Sequence, residues 1–210
     1  MLRVIPLALL ALAATDCGQR PSGGFRDYAK PLAGEEWSGA IEAPANVTWR
    51  TTLADEREKG EPMIVKGTVY KEDGKTPAWG ILLYVYHTDH EGRYSRGTGK
   101  GTGPRHGKLR GWMLTNQQGQ YEFRSIRPAG YPGRPDPQHI HITVTGPGIH
   151  EHSIDAYLFL DDPRLPASER PRTRSAFNYV VDPQKKDGVW HVRRDIRLWS
   201  AEERERRGKE

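Results

Sequence analysis

Cysteine is the scarcest residue of this chain, which contains one, Cys17, among 210 residues. A single thiol cannot form an internal disulfide, so the fold has no cross-link of its own. Long hydrophobic runs are missing as well. The run Val4–Ala14 is too short to cross a bilayer stably, and it follows Arg3 at the N-terminus. This pattern is typical of an export signal rather than of a membrane span.

Two processing sites compete behind this apolar run. Ala11-Leu12-Ala13 offers an A-x-A cleavage site, whereas Ala14-Thr15-Asp16-Cys17 resembles a bacterial lipoprotein box whose cysteine becomes lipidated. Asp16 departs from the small uncharged residue that such a box prefers, yet lipidation would explain the lone thiol. The sequence predicts an exported protein, periplasmic or secreted, and leaves open whether Cys17 anchors it to a membrane.

A signature of nucleic-acid binding is also absent. The net charge is +5 and the pI is about 9.3, but the basic residues are dispersed among acidic ones. No nucleic-acid-binding motif accompanies them, and a modest positive excess is enough to serve solubility. We therefore expect no nucleic-acid partner. The sequence leaves open whether the chain forms an oligomer.

Glycine and proline are plentiful, with 23 and 16 residues between short apolar runs. Such a composition favours strands and turns over helices, and turn signals recur at intervals of about eight to twelve residues. Alternating apolar and polar residues mark the strands. The predicted strands are Met63–Tyr70, Gly80–His87, Trp112–Thr115, Tyr121–Arg124, His139–Thr145, Ile154–Leu160 and a last one through Trp190 and Leu198. We predict an all-β fold, a single β-sandwich of short antiparallel strands with long loops.

The domain organisation follows from composition. Residues 1–17 form the predicted export signal, and residues 18–62 form a linker or an arm laid over the domain, pinned by Trp37 and Trp49. The sandwich spans residues 63–199. Residues 200–210 form a charged tail, the one stretch that looks helical.

The chemistry concentrates in the stretch that ends in His139-Ile140-His141. Alternate residues of a strand share a face, so both imidazoles point one way while Ile140 points the other. Tyr131 lies eight residues upstream in a Gly-Tyr-Pro-Gly turn, and Tyr94 follows a similar turn signal. Two phenols and two imidazoles form a plausible ligand set for a hard, high-valent metal ion.

The order of these motifs resembles the core of the intradiol ring-cleavage dioxygenases, the family of catechol 1,2-dioxygenase and protocatechuate 3,4-dioxygenase. The similarity spans about Met63 to Leu160 and is greatest to the protocatechuate-type subunits. The matching pieces are Gly67-Thr68-Val69 with Asp73-Gly74, Gly92-Arg93-Tyr94, Leu114-Thr115-Asn116, Gly119-Gln120-Tyr121-Glu122-Phe123, Ile126-Arg127-Pro128, Tyr131-Pro132 and His139-Ile140-His141.

The resemblance implies a mononuclear non-haem Fe(III) site with Tyr94, Tyr131, His139 and His141 as ligands. Phenolate is a hard anionic donor that favours Fe(III) over Fe(II), whereas catalytic zinc draws more often on histidine and carboxylate. The implied substrates are a catechol-type aromatic diol and dioxygen. The implied reaction breaks the bond between the two hydroxyl-bearing carbons, and both oxygen atoms enter a muconate-type diacid.

Two positions depart from the family pattern. The family has an arginine three residues before the first ligand histidine, where this chain has Asp136, and Arg134 is the nearest substitute. Protocatechuate-type enzymes carry a glutamine in the following strand, where this chain has Ala156. The connection from Tyr131 to His139 is also shorter than in the well-known members. These changes affect the surroundings of the metal site more than its ligands, so they put rate and substrate in question.

Other interpretations remain open at this point. The opening Gly67-Thr68-Val69 also resembles metal-free β-sandwich modules of the transthyretin type, and the changes at Asp136 and Ala156 would suit an iron-binding homologue with impaired catalysis. The second His-x-His motif, His150-Glu151-His152, follows a Gly-Pro-Gly turn and is expected to be an exposed loop. No role is assigned to the remaining histidines, His87, His90, His106 and His191.

The export signal gives the first testable prediction. The run Val4–Ala14 should direct export in the native host, and the mature chain should then begin near Ala14 or at Cys17. Intact-mass measurement of the protein isolated from that host decides the matter. A lipid adduct that disappears in Cys17→Ala would establish the anchor, while a mass that includes an uncut Met1 would contradict export.

Overall fold

Strands dominate the computed structural model, which describes residues 38–95, 103–173 and 175–207. The export signal and Trp37 lie outside these ranges, as do the seven residues 96–102. In chain order the strands are β1 (Arg50–Thr52), β2 (Pro62–Tyr70), β3 (Leu82–Tyr86), β4 (Arg110–Leu114), β5 (Gln120–Ile126), β6 (His139–Gly146), β7 (Ile149–Ser153), β8 (Tyr157–Phe159), β9 (Val180–Val181), β10 (Gln184–Lys186), β11 (Val189–Arg193) and β12 (Ile196–Arg197).

Helices are few and short within the described residues. Helix α1 is the single turn Gly103–His106, and α2 is the terminal helix Ala201–Arg207, which confirms the helical prediction for the tail. One-turn 3-10 helices span Ala40–Glu42 and Ala167–Glu169. No helix in the described part of the chain is long and apolar enough to cross a membrane.

The strands form two sheets that pack face to face, as the predicted sandwich requires. The first sheet has the order β1-β5-β2-β11-β10, with β12 also paired to β2. The second has the order β4-β3-β6-β8-β9, with β7 paired to β6. Not every pair is antiparallel: β1 runs parallel to β5, β11 and β12 run parallel to β2, and β9 runs parallel to β8. Long connections allow these strands to return in the same direction.

The core lies between the sheets and is built from the alternation of each strand. In β2 the residues Met63, Val65 and Val69 are buried while Lys66 is exposed. Gly67 takes the fourth inward position because a Cβ there would lie 1.7 Å from the carbonyl oxygen of Arg194. In β6 the inward residues are Ile140, Ile142 and Val144, which join the same cluster. The opposite face of β6 is therefore left for His139 and His141.

The described part of the predicted arm lies on the outer face of the second sheet. Trp112 donates from its indole nitrogen to the carbonyl of Gly39 at 2.8 Å, and Arg110 pairs with Glu42 at 2.6 Å. Further along, β1 adds an edge strand to the first sheet. Trp49 precedes this strand, and its ring lies 3.7 Å from the Arg50 guanidinium. Residues 38–62 thus contribute packing to the sandwich itself.

A buried carboxylate holds the arm in place, and it corrects one expectation from the sequence. His150-Glu151-His152 is not an exposed loop but belongs to β7, where Glu151 is 0% exposed and only His150 of the three points fully to solvent. Glu151 accepts hydrogen bonds from the hydroxyls of Ser38 and Thr143, at 2.5 and 2.6 Å. It also accepts from the backbone amides of Gly39 and Ala40, at 2.9 and 3.1 Å. The prediction was wrong because most of these donors lie far away in the sequence.

This carboxylate gives a prediction about stability. Glu151→Gln replaces one acceptor oxygen by an amide that cannot accept, so it should lower the free energy of unfolding by about 2 kcal/mol. Urea denaturation followed by tryptophan fluorescence measures the change. The matched control is Glu202→Gln on the exposed face of α2, which should stay within about 0.5 kcal/mol of the parent protein. Equal stability of the two variants would contradict the role given to Glu151.

Candidate metal centre

The two predicted ligand tyrosines come from separate segments that are joined by hydrogen bonds. The amide of Ala129 donates to the carbonyl of Asp89 at 3.1 Å, and the Thr88 hydroxyl donates to the carbonyl of Ala129 at 2.7 Å. Gly92 fits against the second segment with a positive φ of 79°, and a Cβ there would lie 2.1 Å from the Gly130 carbonyl oxygen. The close approach requires glycine, and it sets Tyr94 beside Tyr131.

The turn before Tyr94 is fixed by one carboxylate. Asp89 accepts hydrogen bonds from the amides of Glu91 and Arg93, at 2.9 and 3.0 Å, and from the Ser95 hydroxyl at 3.0 Å. Burial acts to raise the pKa of Asp89, but these hydrogen bonds together outweigh it and lower the pKa. Tyr94 therefore stands on a rigid turn. Tyr131 lies on a segment outside the strands, and the four residues that follow it are exposed.

Three of the four predicted ligand atoms form one hydrogen-bonded chain. The Tyr94 and Tyr131 hydroxyl oxygens are 2.8 Å apart, and the Tyr131 oxygen lies 3.1 Å from Nε2 of His139. Nδ1 of His139 lies 2.8 Å from the carbonyl of Pro137, so Nδ1 carries the proton and Nε2 accepts from Tyr131. Tyr94 then donates to Tyr131.

The fourth predicted ligand, His141, lies against His139. The rings of His139 and His141 are 4.7 Å apart and perpendicular to each other. Burial is the main reason that the pKa of His141 falls to about 3, and the charges of neighbouring imidazoles lower it further. This ring is thus neutral at physiological pH, as a metal ligand must be. The structure brings Tyr94, Tyr131, His139 and His141 together.

The donor set fits a hard, trivalent cation. Within the described residues no group of three or more His, Cys, Asp or Glu side chains converges. The donors that come together here are two phenols and two imidazoles. Burial, followed by the hydrogen bond to Tyr131, raises the pKa of Tyr94 far above its usual range. Only a strongly polarising ion would displace such a proton. Ligand atoms of one ion lie about 3 Å apart when each bond is about 2 Å long, and the donor atoms of Tyr94, Tyr131 and His139 have this spacing.

Arg134 is close to the site but faces outward. Its guanidinium lies 5.3 Å from the Tyr131 ring centroid, and its Nε donates to Asp136 at 2.8 Å. The pair is exposed to solvent, so it contributes little to stability. Ala156 lies just before β8 and is half-buried. Each of the two departures from the family pattern thus has a defined place, one at the rim of the site and one beside the strand that pairs with His139.

Two residues near the site were not singled out by sequence reasoning. Tyr86 and His106 stack on one another behind His141, with ring centroids 3.8 Å apart. The pattern around Tyr86 indicates an ordinary strand residue, and His106 follows a glycine-rich stretch with no strand period. Only the cross-strand register, in which Tyr86 faces His141, reveals the connection.

His87, to which the sequence assigned no role, is fully buried at the end of β3. Its Nδ1 lies 2.7 Å from the Thr88 carbonyl and its Nε2 lies 2.8 Å from the Ser125 hydroxyl. Nδ1 therefore carries the proton and Nε2 accepts from Ser125. Burial lowers the pKa of His87 to about 4. His87 is therefore uncharged at neutral pH, and its hydrogen bond with Ser125 joins the end of β3 to β5.

The buried imidazole gives a prediction about pH. An unfolded chain takes up a proton on His87 below about pH 6.5, whereas the folded chain takes it up only near pH 4, so stability falls as the pH drops between these values. His87→Gln should remove about 1.4 kcal/mol per pH unit from that slope. Urea titrations of metal-free protein at about pH 6 and about pH 5, inside this window, measure it. His150→Gln, at an exposed position, is the control, and an unchanged slope in His87→Gln would contradict the assignment.

Comparison with known proteins shows which family the chain resembles. The family model described as "Dioxygenase" matches residues 40–185, well over half of the chain. Catechol 1,2-dioxygenase 2 of Acinetobacter lwoffii is 30% identical over 152 residues, covering 59% of this chain and 54% of the relative. The protocatechuate 3,4-dioxygenase beta chain of Burkholderia cepacia is 27% identical, with coverages of 67% and 61%. The chain therefore matches only part of the length of these relatives.

Solved structures show the same fold. The dioxygenase domain of a dioxygenase–carbohydrate-binding protein fusion from Streptomyces sp. SirexAA-E superimposes with a TM-score of 0.55 at 23% identity, covering 75% of this chain and 92% of that one. Catechol 1,2-dioxygenase from Acinetobacter sp. ADP1 gives a TM-score of 0.56 at 22% identity, with coverages of 73% and 57%. At such identities the likeness concerns the fold.

Proposed function

The chain belongs to the intradiol ring-cleavage dioxygenase family, and on this basis we propose that it opens a catechol-type aromatic ring between the two hydroxyl-bearing carbons. In this reaction dioxygen is the oxidant, the carbon–carbon bond breaks, and both oxygen atoms enter a cis,cis-muconate-type diacid. The observation that supports the proposal is the convergence of Tyr94, Tyr131 and His139 in one hydrogen-bonded chain beside His141.

We propose that Tyr94, Tyr131, His139 and His141 hold one Fe(III) ion. Two phenolates supply two negative charges toward a trivalent ion and leave one for hydroxide or substrate, while two neutral imidazoles add donor atoms without charge. A bound ferric ion would draw electron density from a chelating catecholate and so activate its ring toward dioxygen. Pro137 fixes His139 in the tautomer that presents Nε2 to the site.

The two phenols have different tasks in this proposal. Asp89 and its hydrogen bonds hold the turn before Tyr94 in place, so Tyr94 is the permanent anionic donor. Tyr131 lies outside the strands, and its oxygen is hydrogen-bonded to both Tyr94 and His139. Tyr131 is therefore the phenol that can swing away when a diol binds, and its oxygen can take up the proton that the diol releases.

Asp136 makes the entrance less favourable for a catecholate. Its carboxylate lies near the site on the same side as Arg134, and each neutralises the other. Because these two charges offset each other, the pair offers little net attraction to a bound dianion at the position where the family has an arginine. We therefore propose slow turnover. The comparisons do not favour a metal-free module or an impaired binding protein, the two alternatives that the sequence left open.

Metal content gives the first test of this function. The purified protein should hold about one Fe(III) per chain and be coloured by phenolate-to-iron charge transfer. Tyr131→Phe should weaken or shift the visible band, and His139→Ala should lower the iron content measured by elemental analysis. His150→Ala, at an exposed histidine, should change neither. Protein that stays colourless after anaerobic iron loading and exposure to air would end the proposal.

Turnover gives the second test. Oxygen uptake should follow addition of at least one member of a panel of catechol, protocatechuate, hydroxyquinol and chlorocatechols. Asp136→Arg should raise the rate or lower the KM, because it replaces a neutral ion pair at the rim with two positive charges that attract the diol anion. Asp161→Arg serves as a charge-matched control, because Asp161 is about as exposed as Asp136 and is likewise paired with an arginine, Arg127. Colour changes without oxygen uptake across the whole panel would favour a binding protein.

A further inference from the structure

His141 is backed by a stack of aromatic rings on the outer face of the second sheet. Tyr86 lies directly across from His141 in the β3–β6 register. The two rings are 4.6 Å apart and nearly parallel, with an angle of 13°. On its other side Tyr86 meets His106 at 3.8 Å and 4°. The Tyr86 ring is thus enclosed between two imidazoles.

The far end of this stack is fixed to the body of the domain. Nδ1 of His106 is hydrogen-bonded to the Tyr84 hydroxyl at 2.9 Å, and both residues are almost completely buried. Tyr84 is in turn stacked on Trp112 at 5.3 Å. Neither His106 nor Tyr86 can shift without disturbing this layer. The stack therefore presents a rigid flat surface to the His141 ring.

We propose that Tyr86 and His106 are positioning residues for His141. An imidazole on a strand has a soft second torsion angle, so its plane is poorly defined by the backbone alone. Stacking on Tyr86 restricts that torsion and keeps the ring beside His139 and the two phenols. The inference rests on the proposed function in one respect, that His141 is a ligand of the metal.

The position of Tyr86 distinguishes this role from ordinary core packing. The hydrophobic core between the sheets takes the opposite face of β3, where Leu83 and Val85 point. Tyr86 lies on the outer face and contacts residues of the site, including Tyr94 at a ring distance of 6.1 Å. Removal of its ring should therefore affect metal binding beyond any effect on folding.

The test compares Tyr86→Leu with Tyr86→Phe. The leucine variant loses the stack and should bind Fe(III) about tenfold more weakly, in the range found for residues that orient metal ligands. The phenylalanine variant keeps the ring and should stay within about twofold of the parent. Affinity is measured by competition with nitrilotriacetate, followed through the visible band. Phe123→Leu, in the core between the sheets, controls for lost aromatic packing and should leave the affinity unchanged.

A second readout needs neither metal nor turnover. In metal-free protein the ring protons of His141 should show upfield ring-current shifts in the nuclear magnetic resonance spectrum. Tyr86→Phe should keep these shifts, while Tyr86→Leu should lose them. Unchanged shifts and unchanged iron affinity in Tyr86→Leu would overturn the inference. If His141→Ala itself leaves iron affinity unchanged, the assignment of His141 as a ligand fails. The ring-current shifts then still show whether Tyr86 stacks on His141, because they do not depend on metal.

Discussion

The period of two along β6 is the constraint on which the site depends. Ile140, Ile142 and Val144 are required by the core between the sheets, where each is almost fully buried. A strand that commits these residues inward has to place His139 and His141 together on the other face. A shift of register by one residue would bury both imidazoles in an apolar core and expose the isoleucines. The stability of the fold and the geometry of the proposed metal centre thus rely on the same alternation.

Much of this arrangement could be predicted from the sequence, because it is encoded locally. The alternation of His139-Ile140-His141 and the turn before Tyr94 are short patterns with clear structural meaning. The turn signals suggested Tyr94 and Tyr131 as ligands, but their meeting was predicted mainly through resemblance to a family, since the segments are far apart in the chain. Glu151 was misassigned because the amides and hydroxyls that satisfy it come from the arm and from β6. Tyr86 and His106 were missed because ring stacking between separate segments produces no periodic pattern in the sequence.

Electrostatics divides the site into a neutral interior and a charged rim. Burial lowers the pKa of His141 and raises that of Tyr94, so both favour their uncharged forms in the absence of a cation. In the proposed site a bound cation would have to offset the cost of ionising the two phenols. The rim carries Arg134 and Asp136, whose charges cancel. Under the proposed function, changes at the rim would alter substrate preference while the four proposed ligands stay in place.

The central claim is that this site inserts dioxygen between the two hydroxyl-bearing carbons of an aromatic diol. Mass spectrometry of the product formed under ¹⁸O₂, with whichever diol supports oxygen uptake, tests it most directly. The account predicts a ring-opened diacid whose two carboxyl groups each carry one labelled oxygen atom. A product cleaved beside only one hydroxyl, or a quinone without label from dioxygen, would contradict it.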